Sequence, residues 1–133
     1  MLTIFGIPKP FRGHIDLIQR NAIQSWTRLR PACQVVLIGD EYGTKETAQE
    51  FGVCHAPDVA LNEFGTPREN SVLQLAEEAA QYPIMCLAAS DLILMSDVTR
   101  AVERVKNSTH NFAICGQRWN LKVTEPIDFN SSW

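Results

Sequence analysis

The chain has 133 residues, 45% of them hydrophobic and 20% charged, with a net charge of −3. That suits one α/β domain with a real core and excludes a long disordered tail, and the lack of any Lys/Arg block excludes electrostatic capture of a nucleic-acid polymer or an anionic membrane. No window approaches the ~20 apolar residues of a transmembrane segment, and the N-terminus lacks a basic stretch leading into an apolar one, so a cytoplasmic protein is expected.

Residues 2–7 read as a short buried strand, stopped by Pro8-Lys9-Pro10, two of whose three residues cannot donate into a sheet ladder. Ile15, Ile18, Ala22, Trp26 and Leu29 then recur with a helical period, and Arg30-Pro31 closes that helix. Val35-Val36-Leu37-Ile38 is an unbroken apolar run, the pattern of a parallel strand buried on both faces, and Gly39-Asp40-Glu41 ends it. A helix over residues 44–51 follows, with Gly52 as its stop and a brief strand over 53–56.

Thr66-Pro67-Arg68-Glu69 carries the signs of a helix start, with Thr66 as N-cap, Pro67 at the first position and Glu69 completing a capping box. That helix is predicted to run to Gln81 with Val72, Leu73, Ala76, Ala79 and Ala80 on its core face. The run from Pro83 to Leu94 predicts a strand that delivers one carboxylate, Asp91, into apolar surroundings, where it would need a partner. A further helix starts at Ser96 or Asp97, with Val98, Ala101, Val102 and Val105 buried. Phe112-Ala113-Ile114-Cys115 reads as a last strand. The alternation predicts a three-layer α/β/α domain spanning residues 1–133 with a mostly parallel central sheet. The tail, 117–133, has Trp119, Leu121, Ile127, Phe129 and Trp133 without a period; it is expected to pack on the domain or a partner chain, making a homo-oligomer a reasonable expectation.

The four cysteines, Cys33, Cys54, Cys86 and Cys115, stand far apart without metal-ligand spacing, and Cys86 and Cys115 in apolar runs are expected as buried, reduced core residues. Glycine-rich dinucleotide and P-loop signatures are absent, as are GxSxG and HExxH. Ligands of open α/β sheets bind outside the C-terminal strand ends. That rule selects Pro8-Lys9-Pro10, Asp40, Ser90-Asp91 and Gly116-Gln117-Arg118, with Arg68 added as a cation in the first turn of the helix begun at Thr66. Asp40 and Asp91 could form a hydrolytic pair, although each is equally a turn residue at a strand end.

The segment Thr3-Ile4-Phe5-Gly6-Ile7-Pro8-Lys9-Pro10-Phe11-Arg12-Gly13-His14, with Gly39-Asp40, Asn62-Glu63-Phe64-Gly65-Thr66-Pro67, Ser90-Asp91-Leu92-Ile93-Leu94 and Arg118-Trp119, resembles the donor-binding half of GT-A type glycosyltransferases, the nucleotide-diphospho-sugar transferase superfamily. The resemblance implies a truncated GT-A-like fold that binds a nucleotide-diphosphate sugar through Pro8, Lys9, Pro10, Phe11, Asp40, Arg68, Ser90 and Asp91 and transfers the glycosyl group to an unidentified acceptor. Asp40 falls at the nucleoside-contacting acidic position. Asp91 falls at the last position of the Asp-x-Asp motif, implying a Mg²⁺ or Mn²⁺ on the diphosphate. The chain departs from the pattern at Ala89, where the superfamily has Asp, and it ends where an acceptor-binding half with a catalytic base would begin. The alternative is a non-catalytic relative that serves as a nucleotide-binding or oligomeric interaction module.

Overall fold

The computed structural model describes residues 1–131. In chain order the elements are β1 (Thr3–Gly6), α1 (Gly13–Thr27), β2 (Gln34–Ile38), α2 (Thr44–Phe51), β3 (Cys54–Ala56), α3 (Glu69–Ala79), β4 (Met85–Leu87) and α4 (Ser96–Lys106). The four strands form one all-parallel sheet in the order β3-β2-β1-β4. The chain thus winds outward from β1 to β3 and then crosses back to place β4 on the other side of β1.

Alternation along the central strands sorts the core into two faces. Ile4, Val35 and Leu37 point to a cluster with Ala22, Ile23 and Trp26 of α1, Ala48 of α2 and Val102 of α4. Phe5, Val36 and Ile38 point the other way, to Val72 and Ala76 of α3. β2 is buried at every position, as its unbroken apolar run predicts, because helices cover both of its faces. The result is an α/β/α arrangement with α1, α2 and α4 on one face and α3 on the other.

Several sequence expectations are corrected. α3 begins at Glu69 with Arg68 at the N-cap, and the Thr66 capping box does not form. Asn62 captures that segment instead: its Oδ1 accepts from the Phe64 and Thr66 backbone N–H groups at 2.9 Å each, and Leu61 bridges Pro67. An Asx turn here outcompetes the helical start. Leu73 is half exposed, since α3 packs chiefly over β2 and β3. Ala101 of α4 is likewise exposed.

Residues 112–115 form no strand, so Gly116-Gln117-Arg118 does not join the ligand edge, and Cys115 is exposed rather than buried. β-propensity supplies no strand without a partner edge. Cys86 and Cys33 are partly buried, which pushes both thiols up from their usual range by desolvation. The tail is irregular as expected through residue 131. Part of it docks: buried Asn21 of α1 donates to Glu125 O at 3.1 Å and accepts from Ile127 N at 2.9 Å. Trp119 and Leu121 remain in solvent, and Trp133 lies outside the described residues.

Two buried hydroxyls, Thr44 Oγ1 and Thr47 Oγ1, have no hydrogen-bond partner among the described residues. Burying an unpaired hydroxyl costs free energy that an isosteric methyl does not. Thr47→Val should therefore raise the unfolding free energy by about 1 kcal/mol. Urea denaturation would measure it, and a loss of stability would mean that the hydroxyl is satisfied.

Candidate functional site

The strand order puts a topological switch point between β1 and β4, and their C-terminal ends open the crevice where ligands of such sheets bind. Each lip of that crevice is held by a side chain from α1. The loop after β1 is gripped by Gln19, which is only 2% exposed. Its Oε1 accepts from Lys9 N at 2.7 Å, and its Nε2 donates to Lys9 O at 2.8 Å. With Pro8 and Pro10 limiting φ on either side, the backbone at Lys9 is fixed while its ammonium group stays exposed.

On the other lip, Ala89-Ser90-Asp91-Leu92 makes a tight turn closed by Leu92 N donating to Ala89 O at 2.9 Å. Trp26 Nε1 donates to Leu92 O at 2.8 Å. The two lips meet directly, because buried Ser90 donates its hydroxyl to Ile7 O at 2.7 Å. Asp91 lies at the third position of the turn and is exposed. The expectation of a carboxylate in apolar surroundings is therefore corrected: β4 ends at Leu87, and a four-residue turn lifts Asp91 into solvent, where it needs no protein partner.

Phe11 is buried and anchors the loop to the β2–α2 connection, its N–H donating to Tyr42 O at 2.8 Å. Arg12 stacks its guanidinium 4.5 Å from the centre of the exposed Tyr42 ring. A cleft of about 340 Å³ opens beside this contact, with Phe11, Asp16, Arg20, Tyr42 and Glu46 in its walls. Its Arg20 is paired with Asp16 and Glu50. Lys9, Asp40, Ser90 and Asp91 do not line this cleft, which lies on the α1–α2 side of the edge.

Asp40, two residues past the end of β2, is exposed at the same edge of the sheet. Arg68 is exposed at the N-cap of α3, the helix that packs over β2 and β3, and its N–H donates to Ala60 O at 2.8 Å. Lys9, Ser90 and Asp91 flank the one crevice between β1 and β4, whereas Arg68 belongs to the start of α3.

None of the known protein families, curated proteins or solved structures compared with this chain matches it. No helix among the described residues is long and apolar enough to cross a membrane.

Gln19, Tyr42 and Arg12 were not among the residues the sequence selects. Gln19 carried a signal: it lies four residues after Ile15 and three before Ala22, on the apolar face of α1, where a polar side chain must find a partner. As for a metal, no group of three or more His, Cys, Asp or Glu side chains gathers among the described residues. Ser90 already spends its proton on Ile7 O, and Ala89 offers no donor atom. One exposed carboxylate does not make an all-protein cage, but it fits a Mg²⁺ or Mn²⁺ that keeps its waters and arrives on phosphate oxygens.

Proposed function

We propose that the chain binds a nucleotide-diphosphate sugar in the crevice between the ends of β1 and β4, as a GT-A-like glycosyltransferase domain. The observation that carries this reading is the Ser90–Ile7 hydrogen bond, which joins the Pro8-Lys9-Pro10 loop to the Asp91 turn at the switch point of a parallel sheet. Lys9 offers a mobile cation to a phosphate from a loop whose backbone Gln19 keeps still. Asp91 offers one carboxylate to a divalent ion carried by the diphosphate, and Asp40, one strand over from β1, suits ribose hydroxyls. When bound, such an ion would neutralise charge on the departing nucleoside diphosphate. Pro10 and Phe11 shape the loop, and Arg68, at the N-cap of α3, would add a cation to a part of the ligand that reaches the start of that helix.

A second reading, a nucleotide-binding module without transferase activity, is favoured by one feature: Ala89 leaves the turn with a single carboxylate. The two share a binding step and differ in turnover. Thermal unfolding with nucleoside diphosphates and their sugar conjugates, with and without Mn²⁺, tests the shared step. Ligand at ~100 times its dissociation constant should stabilise the fold by about 2.7 kcal/mol. Mn²⁺ alone should do nothing, and Asp91→Asn should abolish the metal dependence while leaving metal-free binding. If no nucleotide shifts the transition, both readings fail. Release of free nucleoside diphosphate from a bound sugar conjugate would then separate transferase from module.

A further inference from the structure

The sheet ends abruptly at β4. Thr3 N donates to Ile84 O at 2.9 Å and Ala88 N donates to Phe5 O at 3.0 Å, so the backbone groups of alternate residues face β1. The intervening Met85 and Leu87 direct their N–H and C=O groups outward, and among the described residues β4 has no second neighbour. The Met85-Cys86-Leu87 strand carries no charge, proline or bulge that would blunt this edge, and Leu87 is 64% exposed because α3 covers β2 and β3. β3, the other edge strand, displays no large exposed hydrophobic residue.

The same molecule holds a strand without an edge. Phe112-Ala113-Ile114-Cys115 has the composition of a buried strand, yet it carries no hydrogen-bonded ladder among the described residues; Phe112 pins its start to the chain's own core, while Ala113, Ile114 (47% exposed) and Cys115 lie open. It belongs to an arm that is tied down at both ends. α4 is fixed to the connection between α1 and β2 by Thr99 Oγ1 donating to Arg30 O at 2.8 Å. Beyond the arm, Asn21 clamps the backbone of Glu125 and Ile127. Between these anchors the arm leaves its own β4 unpaired and carries Trp119 (92% exposed) and Leu121 into solvent.

We propose that residues 112–115 of one copy pair with the β4 edge of a second copy, and reciprocally, in a two-fold symmetric exchange of arms. An isologous dimer of this kind fills both edges with the same contact made twice and leaves neither strand for a third molecule. It would also bring Leu87 under the apolar arm of the partner, supplying the cover that α3 does not.

Light scattering across concentration, combined with hydrogen exchange on the intact chain, tests this. The expected result is a dimer whose Met85 and Leu87 amides become protected as concentration rises. Ile114→Lys and Leu87→Lys should each weaken the dimer at least tenfold while changing the melting temperature of the dilute protein little, since Leu87 is mostly exposed and Ile114 about half exposed in the single chain. A monomer at hundreds of micromolar overturns the proposal, as does a dimer indifferent to both substitutions. Protection of Met85 and Leu87 at every concentration would also overturn it, because the chain's own arm would then fill the edge. If either variant fails to fold, exchange in the unmodified protein still decides.

Discussion

Trp26→Ala is expected to lower the unfolding free energy by about 3–5 kcal/mol, as for other fully buried aromatic side chains. Trp26 has no exposed surface and fills the core between α1 and the sheet. It also fits against a backbone with no room to relax: a Cβ on Gly6 would lie 2.9 Å from Trp26 Cη2 and 3.0 Å from Ala88 O. Its indole N–H holds Leu92 O, the last residue of the Asp91 turn. Trp26→Phe separates the two contributions, keeping most of the apolar volume and removing the donor. It should cost about 1 kcal/mol, the typical net contribution of one hydrogen bond, because the Leu92 carbonyl is only partly buried. Chemical denaturation of the three proteins measures both steps. If Trp26→Phe is as stable as the parent, the indole hydrogen bond contributes nothing and the turn is held by Ser90 and its own backbone.

The site is thus built by α1 acting on backbone rather than on ligand. Gln19 grips the loop after β1, Trp26 holds the turn after β4, and Ser25 accepts from Leu94 N at 3.0 Å just beyond. Asn21 uses the same two-pronged amide contact on the tail. Buried polar side chains on one helix face therefore replace the ladder bonds that irregular segments lack.

The part of this architecture legible in the sequence is the part governed by local periodicity. The unbroken run at residues 35–38 announced a strand buried on both faces. The α2 boundaries follow directly from Thr44 and from Gly52, which ends the helix at φ 64°. Strand–helix alternation led to the parallel sheet, and the strand-end rule led to Lys9 and Ser90. What stayed hidden depends on competition between distant groups. Asn62 takes the Thr66 N–H that a capping box would give to the Glu69 carboxylate, and nothing local ranks those two outcomes. Residues 112–115 have strand composition but no partner strand among the described residues. The long apolar run around Asp91 obscured the turn at residues 89–92, because the run's hydrophobicity comes from Leu92 and Leu94 packing against α1 rather than from one continuous strand.

Gly43 links fold and site most directly, and Gly43→Ala should cost about 2–4 kcal/mol through two additive mechanisms. The residue has φ +85°, where an L side chain costs roughly 1–2 kcal/mol. An added Cβ would also lie 2.7 Å from Phe11 Cβ, closer than carbon atoms approach, and a tight 3.3 Å from Phe11 Cγ. Phe11 has little freedom to retreat, being buried and bound through its N–H to Tyr42 O. The strain should therefore pass into the Pro8-Lys9-Pro10 segment. The nucleotide-induced thermal shift of Gly43→Ala should then be smaller than that of a control such as Gly52→Ala, which is also at positive φ but has open space around its Cβ position at the far end of α2. Equal stability losses in the two variants would mean that backbone conformation alone sets the cost and that Phe11 yields freely. Equal ligand shifts would mean that the loop after β1 does not contact the nucleotide.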